Sequence, residues 1–178
     1  MCNLCNLGKN INLTTGNRTM NTNFQIIRLT TDPRLVIPSR ATSGSAGFDL
    51  QAAIEKPIKL FPGEWIKIPT GLKIWIRAEH LVGIIVPKSG KGIKGLGIKN
   101  LTGVIDSDYQ GELVVSAWNT NIGVEVNINP FDQIAQILFL PFVSATFTEV
   151  DVFENETKRG AGGFGSTGDN ASMTSQEG

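Results

Sequence analysis

The residues best suited to chemistry lie in a few short polar segments, of which the densest is GVIDSDYQGE at positions 103–112. This segment carries three carboxylates and the only tyrosine of the chain. A carboxylate can take a proton from water, and the bulky Ile105 and Tyr109 beside the acids suit a pocket for a base and a sugar. The segment is predicted to be the tip of a β-hairpin, and because Asp and Gly are common in solvated turns, an ordinary turn stays open as the alternative.

Two shorter segments offer groups that bind phosphate. PKSG at 87–90 follows an apolar run and brings together the Lys88 ammonium, a serine hydroxyl and a glycine N–H, all of which can donate to phosphate oxygens. IAQ at 134–136 buries Gln136 in an otherwise apolar strand, where its amide must bond to backbone or to a ligand. For the first segment an ordinary turn is again the alternative.

Half of the segment RGAGGFGSTG at 159–168 is glycine, and its spacing matches the G-x-G-x-x-G pattern of dinucleotide-binding turns. Such a turn requires a strand before it and a helix after it, and the residues that follow Gly165 do not favour a helix. The dinucleotide-binding interpretation is therefore rejected. The arginine, the backbone N–H groups and the hydroxyls instead suit a triphosphate whose base stacks on Phe164.

Composition narrows the function classes. With 178 residues, 40% of them hydrophobic, the chain suits one globular domain. Lys+Arg and Asp+Glu balance at 16 each, which argues against nucleic-acid and membrane partners, and no apolar run predicts a secretory signal or a membrane helix. We therefore expect a cytoplasmic protein. Cys2, Cys5 and the single histidine, His80, are too few and too scattered for a zinc or nucleophile site, and His80 is expected at the surface.

The elements that must position these segments are strands. Apolar and polar residues alternate from Val124 to Asn129, and glycine, proline and asparagine clusters break the apolar runs at short intervals. Three further apolar runs predict strands covered on both faces: 82–86, 113–118 and 134–140. The pattern indicates an all-β fold, a sandwich or distorted jelly roll of the β-clip barrel kind, with at most one short helix after Lys88.

The polar ends of the sequence separate from this β-rich region. We predict a disordered extension at 1–22, one jelly-roll domain at 23–153, a glycine-rich C-terminal arm at 154–168 and a disordered tail at 169–178.

Five motifs in one order resemble those of the homotrimeric dUTPase family, most closely its bacterial members: AGFDL (46–50), PKSG (87–90), NLTGVIDSDYQG (100–111), QIAQ (133–136) and RGAGGFGSTG (159–168). The resemblance extends from about residue 24 to residue 168. It implies a β jelly roll that forms a homotrimer with three shared active sites. Motifs one, two and four would come from one chain, the third from a neighbour and the fifth, as a closing arm, from the remaining chain.

The resemblance implies an enzyme that hydrolyses dUTP to dUMP and pyrophosphate, which limits uracil incorporation into DNA and supplies dUMP for dTMP synthesis. Asp106 would be the general base that activates the attacking water. The substrate-binding residues would be Lys88, Ser89, Gly90 and Gln136 on the phosphates, Asn100 and the backbone of Gly103, Val104 and Ile105 on uracil, Tyr109 on deoxyribose, Val114 in the same pocket, and Arg159, Phe164, Gly165, Ser166 and Thr167 in the arm. Mg²⁺ would sit mainly on phosphate oxygens and water, and Asp49 would touch it only through water.

Two residues depart from the family pattern, and two alternative functions remain to be distinguished. Lys88 and Gln133 stand where motifs two and four commonly carry Arg, which predicts weaker phosphate binding rather than lost activity. A dCTP deaminase shares the fold but needs a glutamate on the strand after the third motif, where this chain has Ser116. A non-catalytic nucleotide-sensing or protein-binding module is the second alternative, and the retained motif chemistry, with Asp106 present, favours an enzyme.

Overall fold

The computed structural model describes residues 23–162, which form ten short strands and one helical turn. In chain order these are β1 (Gln25–Arg28), β2 (Phe48–Gln51), β3 (Ile58–Leu60), β4 (Trp65–Trp75), β5 (Leu81–Pro87), α1 (Ser89–Gly92), β6 (Leu96–Ile98), β7 (Gly103–Ile105), β8 (Glu112–Asn119), β9 (Val126–Ile128) and β10 (Gln133–Pro141). The predicted all-β class, with one short helix after Lys88, is confirmed. None of the described residues forms a helix long and apolar enough to cross a membrane.

Two four-stranded antiparallel sheets form the framework, and we call them the first sheet, in the order β1-β4-β8-β6, and the second sheet, in the order β2-β10-β5-β7. A two-stranded ribbon, β3-β9, accompanies them. From β4 to β8 every successive strand changes sheet, so the chain winds back and forth across the core as in a jelly roll. The predicted jelly roll is therefore confirmed.

Alternating apolar residues of both sheets form the core. Ile68 and Val115 of the first sheet are at most 2% exposed, as are Ile85 and Ile137 of the second sheet. Because side chains of a strand point alternately to opposite faces, this core uses one face of each sheet. The other face of each sheet carries the intervening residues, among which are several of the predicted site residues.

Two expectations about the strands are wrong. The apolar runs of β5, β8 and β10 are not covered on both faces, since alternate residues are half-buried or exposed and Val114 is 42% exposed. Apolar composition does not distinguish a core face from a face that another molecule covers. The alternation from Val124 is also overestimated, because β9 begins only at Val126 and Val124 is 64% exposed.

The predicted hairpin at 103–112 is wrong as well. Its two flanking strands do not pair with each other, because β7 pairs with β5 in the second sheet and β8 pairs with β4 and β6 in the first sheet. The segment between them is a turn that connects the two sheets, with the Tyr109 N–H donating to the Asp106 carbonyl at 3.2 Å. The turn chemistry was recognisable from sequence, but it does not say which strands the turn joins.

The described chain divides into two units, 23–144 with all the strands and 145–162, which has neither strand nor helix. In the second unit the Gly162 N–H donates to the Arg159 carbonyl and Arg159 Nε donates to the Gly162 carbonyl, both at 3.0 Å. The proposed domain boundaries stay predictions, and the segments 1–22 and 163–178 lie outside the described residues.

Candidate functional site

Three predicted site residues meet at one end of the second sheet. Asp49 on β2 lies opposite Gln136 on β10, which in turn lies opposite Val86 on β5. Lys88 follows the end of β5, and its Nζ donates to Asp49 Oδ1 at 2.7 Å. Their side chains are 31% and 29% exposed, so this ion pair is half-buried but open to a ligand. The sheet thus brings together residues that are distant in sequence.

A second ion pair lies one turn further along the chain. Lys91, in the single turn of α1, donates to Asp132 Oδ2 at 3.0 Å. Burial would raise the pKa of Asp132, but the Asn129 backbone N–H and the Lys91 ammonium outweigh that and hold the pKa below its ordinary value of 3.8. Sequence reasoning missed both residues. Lys91 and Asp132 are 41 positions apart in the sequence, so no local spacing links them.

Gln136 is half-buried rather than buried, which corrects the prediction. Its Nε2 donates to the Pro87 carbonyl at 3.4 Å, because β10 and β5 are neighbours. Its Oε1 occupies the space beside Gly47, where a Cβ would collide with it. Gly47 belongs to the first motif, and its missing side chain leaves room for the Gln136 amide.

Ser89 and Gly90 form the exposed first half of α1, directly after Lys88. A Cβ built on Gly90 meets no atom within 4 Å, so open space surrounds this position. The hydroxyl and the backbone N–H groups therefore lie beside the Lys88–Asp49 pair with room for an anion. We call these residues, together with the two ion pairs and Gln136, the cationic cluster after its two lysines, although the paired aspartates make it neutral overall: Asp49, Lys88, Ser89, Gly90, Lys91, Asp132 and Gln136.

Asp106 lies at the other end of the second sheet, directly after β7. It borders an open pocket of about 520 Å³, whose lining is Glu79, Leu81, Val82, Val104, Asp106, Ser107, Asp108 and Phe142. The lining holds three carboxylates and no cation. Asp106 and Asp108 are both exposed. An acidic pocket of this kind does not attract a polyphosphate without cations from elsewhere.

Tyr109 and Glu112 are fixed to each other across the same turn. The Tyr109 hydroxyl donates to the Glu112 carbonyl at 2.9 Å, and a Cβ on Gly111 would collide with that hydroxyl. Glu112 Oε1 accepts the Gly71 N–H at 2.8 Å, which ties the turn to β4. Of the three carboxylates in the segment, Glu112 is therefore structural. Tyr109 is 42% exposed, so its ring presents a surface to solvent.

The remaining residues predicted for the base and sugar are placed more loosely. Gly103–Ile105 form β7, the edge strand of the second sheet, whose backbone has a strand partner on one side only within the described residues. Asn100 is exposed and donates to the Thr102 carbonyl at 3.1 Å. Val114 lies on β8 in the first sheet. Asn100, Tyr109 and Val114 do not line the Asp106 pocket.

Within one chain the cationic cluster and Asp106 are far apart. Ile105 lies opposite Gly83, and Lys88 follows five residues later along β5, which at ~3.3 Å per residue is about 17 Å. Gln136 is two strands away from β7 and opposite Val86, so its separation from Asp106 is about 15 Å as well. A general base must lie within hydrogen-bond reach of the water that it activates beside the phosphorus. One chain alone does not bring these groups together.

The arm residues and the metal site are less fully described. Arg159 is exposed in the second unit, whereas Phe164, Gly165, Ser166 and Thr167 lie outside the described residues. Among residues 23–162 no group of three His, Cys, Asp or Glu side chains could hold a metal ion. His80 is exposed, which confirms its predicted surface position.

These features define a class before any comparison. The chain is a jelly roll with two lysine–carboxylate pairs at one end of a sheet and an acidic pocket at the other end, an arrangement compatible with the nucleotide-binding β enzyme that the motifs predict. Residues 34–168 match the family model for dUTPase. The chain belongs to the dUTPase family.

Individual relatives agree with this assignment. The chain is 50% identical over 140 residues to the deoxyuridine 5'-triphosphate nucleotidohydrolase of Herminiimonas arsenicoxydans, covering 77% of this chain and 93% of that protein. It is 46% identical, with the same coverage, to the enzyme of that name from Paraburkholderia phymatum. The predicted likeness to bacterial members and the predicted enzyme class, a dUTP diphosphatase, are confirmed.

Solved structures of phage enzymes share the fold. A Staphylococcus bacteriophage 80alpha dUTPase mutant with dUpNHpp superposes with a TM-score of 0.72 at 26% identity, covering 82% of this chain and 98% of that chain. A dUTPase mutant from phage phi11 of S. aureus, described as revealing the coordination of a structural Mg(II) ion, gives a TM-score of 0.65 at 25% identity, covering 75% and 99%.

Proposed function

We propose that this protein hydrolyses dUTP to dUMP and pyrophosphate in active sites shared between copies of the chain. The observation that carries the proposal is the separation of two groups of residues at opposite ends of one sheet: a cluster that holds the lysines but not Asp106, and an acidic pocket that holds Asp106 but no cation. Family membership supplies the substrate, because the relatives carry it in their names. By consuming dUTP the reaction would limit uracil incorporation into DNA, and its product dUMP would be available for dTMP synthesis.

The face of the second sheet that points away from the core supports association between copies. Leu138 and Leu140 alternate with the core residues of β10, and Leu140 is 48% exposed. Val104 on β7 is 64% exposed. Asp49 and Gln136 lie on that same face by strand alternation, so a copy that covers its apolar part also approaches the cationic cluster. The number of copies, three, comes from the family resemblance.

In the proposed reaction Asp106 of one copy accepts a proton from a water, which attacks the α-phosphorus of dUTP bound to the cationic cluster of another copy. The bond between the α-phosphorus and the bridging oxygen to the β-phosphorus breaks, and pyrophosphate leaves with that oxygen. Asp106 follows a strand and is exposed, so its carboxylate is open to such a water. The acid on the same turn, Asp108, is assigned no step.

The binding roles follow from what each element presents. Lys88, Ser89, Gly90 and Gln136 would hold phosphate oxygens, which compete with Asp49 for the Lys88 ammonium. The edge backbone of Gly103–Ile105, with Asn100, would bind the uracil edge. Tyr109, held by its bond to Glu112, would pack on deoxyribose, and Val114 would line the same pocket.

The arm would close the site. Arg159, Ser166 and Thr167 would bind the γ-phosphate, with Gly165 beside them and Phe164 stacked on uracil. Phe147 and Phe153 of the second unit are 99% and 89% exposed in the single chain, which favours a role for this segment against another copy.

The described residues fit Mg²⁺ only as an ion that the substrate brings. They offer no cluster of three acidic or histidine ligands, and Asp49 is already paired with Lys88. Mg²⁺ keeps several waters and is commonly bound through phosphates, so Asp49 would reach it through water. When bound, the ion would neutralise charge on the phosphate oxygens.

The test is pyrophosphate release from dUTP with Mg²⁺, compared between the wild-type chain and Asp106→Asn. Loss of the general base should reduce kcat by about 10²–10⁴-fold with the fold retained. Asp108→Asn removes the other exposed carboxylate of the same turn and is the matched control, expected within about threefold of wild type. Equal losses in the two variants would remove Asp106 from its role. Ammonia release from dCTP would instead favour a deaminase, and absence of any turnover would favour the binding-module alternative.

A further inference from the structure

Lys91 repeats the arrangement of Lys88. Each lysine donates to a carboxylate across the end of the second sheet, at 2.7 Å for Lys88 and 3.0 Å for Lys91. The exposed fractions of the side chains are similar too: 31% for Lys88 and 29% for Asp49, and 33% for Lys91 and 26% for Asp132. Lys88 is the extended residue directly before α1 and Lys91 lies three residues later within it, so the two lysines are close in sequence and each pairs with a carboxylate of the second sheet's β2–β10 side.

The charges around these lysines are arranged for an incoming anion. Residues 87–100 contain Lys88, Lys91, Lys94 and Lys99 and no Asp or Glu. The only side-chain acids that pair with them in the described structure are Asp49 and Asp132. Two lysines facing two carboxylates are neutral overall, so the cluster attracts phosphate only when a lysine exchanges its carboxylate partner for phosphate oxygens. Pairing with a carboxylate therefore does not disqualify a lysine as a phosphate ligand.

We propose that Lys91 is a second phosphate-binding cation of the site, which transfers from Asp132 to the phosphate chain of the nucleotide when the nucleotide binds. This inference rests on the proposed function, since it uses the same cluster. Asp132 then competes with the substrate for the ammonium. The charge of Lys91 also adds to a site in which Lys88 lacks the forked donors of an arginine.

The competing explanation is that the pair only fastens α1 to the start of β10. The two explanations predict different changes in phosphate affinity when Asp132, rather than Lys91, is removed. A structural tether is broken equally by removing either residue, so both variants would weaken phosphate binding. In the proposal, removing Lys91 weakens binding, whereas removing the competing carboxylate of Asp132 does not.

The experiment measures the Kd of inorganic pyrophosphate at fixed Mg²⁺ by calorimetry, and the KM for dUTP, in four variants. Lys91→Met should raise the Kd about three- to tenfold, because a charge-assisted hydrogen bond is lost at a site about one third exposed. Asp132→Asn should leave the Kd unchanged or lower it by up to about threefold, and Lys91→Arg should stay within about threefold of wild type. Lys94→Met removes an equal charge from an exposed position of the same segment and should change the Kd less than about twofold.

Equal weakening by Lys91→Met and Asp132→Asn would overturn the proposal, and so would equal weakening by Lys91→Met and Lys94→Met. A variant that fails to fold is replaced by amine labelling of the wild-type protein, in which pyrophosphate should protect Lys91 together with Lys88 but not Lys94. Unprotected Lys91 would likewise overturn the proposal. A wild-type protein that binds pyrophosphate but does not turn over dUTP would contradict the proposed function. The comparison of pyrophosphate affinity between Lys91→Met and Asp132→Asn would still test the role of Lys91.

Discussion

At the scale of single residues, identical side-chain chemistry serves different purposes in this chain. Glu112 holds Gly71 of β4, Asp132 holds Lys91, and Asp106 is exposed beside a pocket. The sequence predicted a functional role for the segment around Asp106, but it did not separate the structural acid Glu112 from the exposed ones. Whether an acid is structural or exposed depends here on hydrogen bonds to residues that are 41 positions away, and no local sequence pattern predicts such bonds.

The lowered pKa of Asp132 makes a pH-dependent prediction. A carboxyl whose pKa is lower in the folded state stabilises the fold above its ordinary value of 3.8, and that stabilisation is lost as the pH falls through the lowered value. Asp132→Asn removes it at every pH. We therefore expect Tm to be lower than wild type at pH 7 and the difference to shrink below pH 3.8.

Asp32 provides the control for this measurement. The Arg34 side chain, by hydrogen bonding, lowers the pKa of Asp32 to about 2, but the side chain of Arg34 is 64% exposed, against 33% for Lys91. Exposed ion pairs contribute little, so Asp32→Asn should lower Tm at pH 7 less than Asp132→Asn does. A Tm difference for Asp132→Asn that stays constant from pH 7 down to pH values well below 3.8 would contradict the assignment.

At the scale of elements, the sequence was informative about strands and uninformative about their partners. The apolar runs that became β5, β8 and β10 were recognised as strands, because a short apolar run bounded by turn residues is a local property, although their second face was wrongly expected to be covered. The short helix after Lys88 was also expected, even though its glycines disfavour a helix. The Lys88–Asp49 pair was not predicted, because it requires β2 and β5 to flank β10 in one sheet. The false hairpin at β7 and β8 has the same origin, since neighbouring strands in sequence went to different sheets.

One glycine in β4 makes a prediction about an element. Gly71 has φ +69° where the register between β4 and β8 shifts, and a Cβ there would lie 2.9 Å from Leu35 Cδ2 and 3.0 Å from Ala53 Cβ. Gly71→Ala therefore combines left-handed backbone strain with overpacking and should reduce the free energy of unfolding by about 2–4 kcal/mol in a denaturant titration.

Gly63 separates the two contributions. It also has a positive φ, +81°, but a Cβ at this position meets nothing within 4 Å. Gly63→Ala should therefore cost only the backbone strain, about 1 kcal/mol. If both variants lost the same stability, the close contacts of Gly71 with Leu35 and Ala53 would have no energetic role.

At the scale of the whole molecule, a single chain carries two incomplete sites, one at each end of the second sheet. The cationic cluster needs a base and the Asp106 pocket needs cations, and the sheet that carries both holds them about 15–20 Å apart. On the outward face of that sheet the exposed Val104 lies between them, and the exposed Leu140 lies level with the Asp106 end. Association through this face would complete the chemistry and cover the apolar surface together, so we expect stability and activity to depend on protein concentration in the same way.

Shared sites can be tested by mixing two inactive chains. Asp106→Asn and Lys88→Met each remove one half of the proposed site, and each alone should be nearly inactive on dUTP. When the two are unfolded together in equal amounts and refolded, random assembly gives about a quarter of the sites an intact Lys88 from one chain and an intact Asp106 from another. Pyrophosphate release should therefore recover to about a quarter of the wild-type rate. Variants that are mixed only after separate refolding provide the control, and a co-refolded mixture no more active than its parents would show that each site lies within one chain.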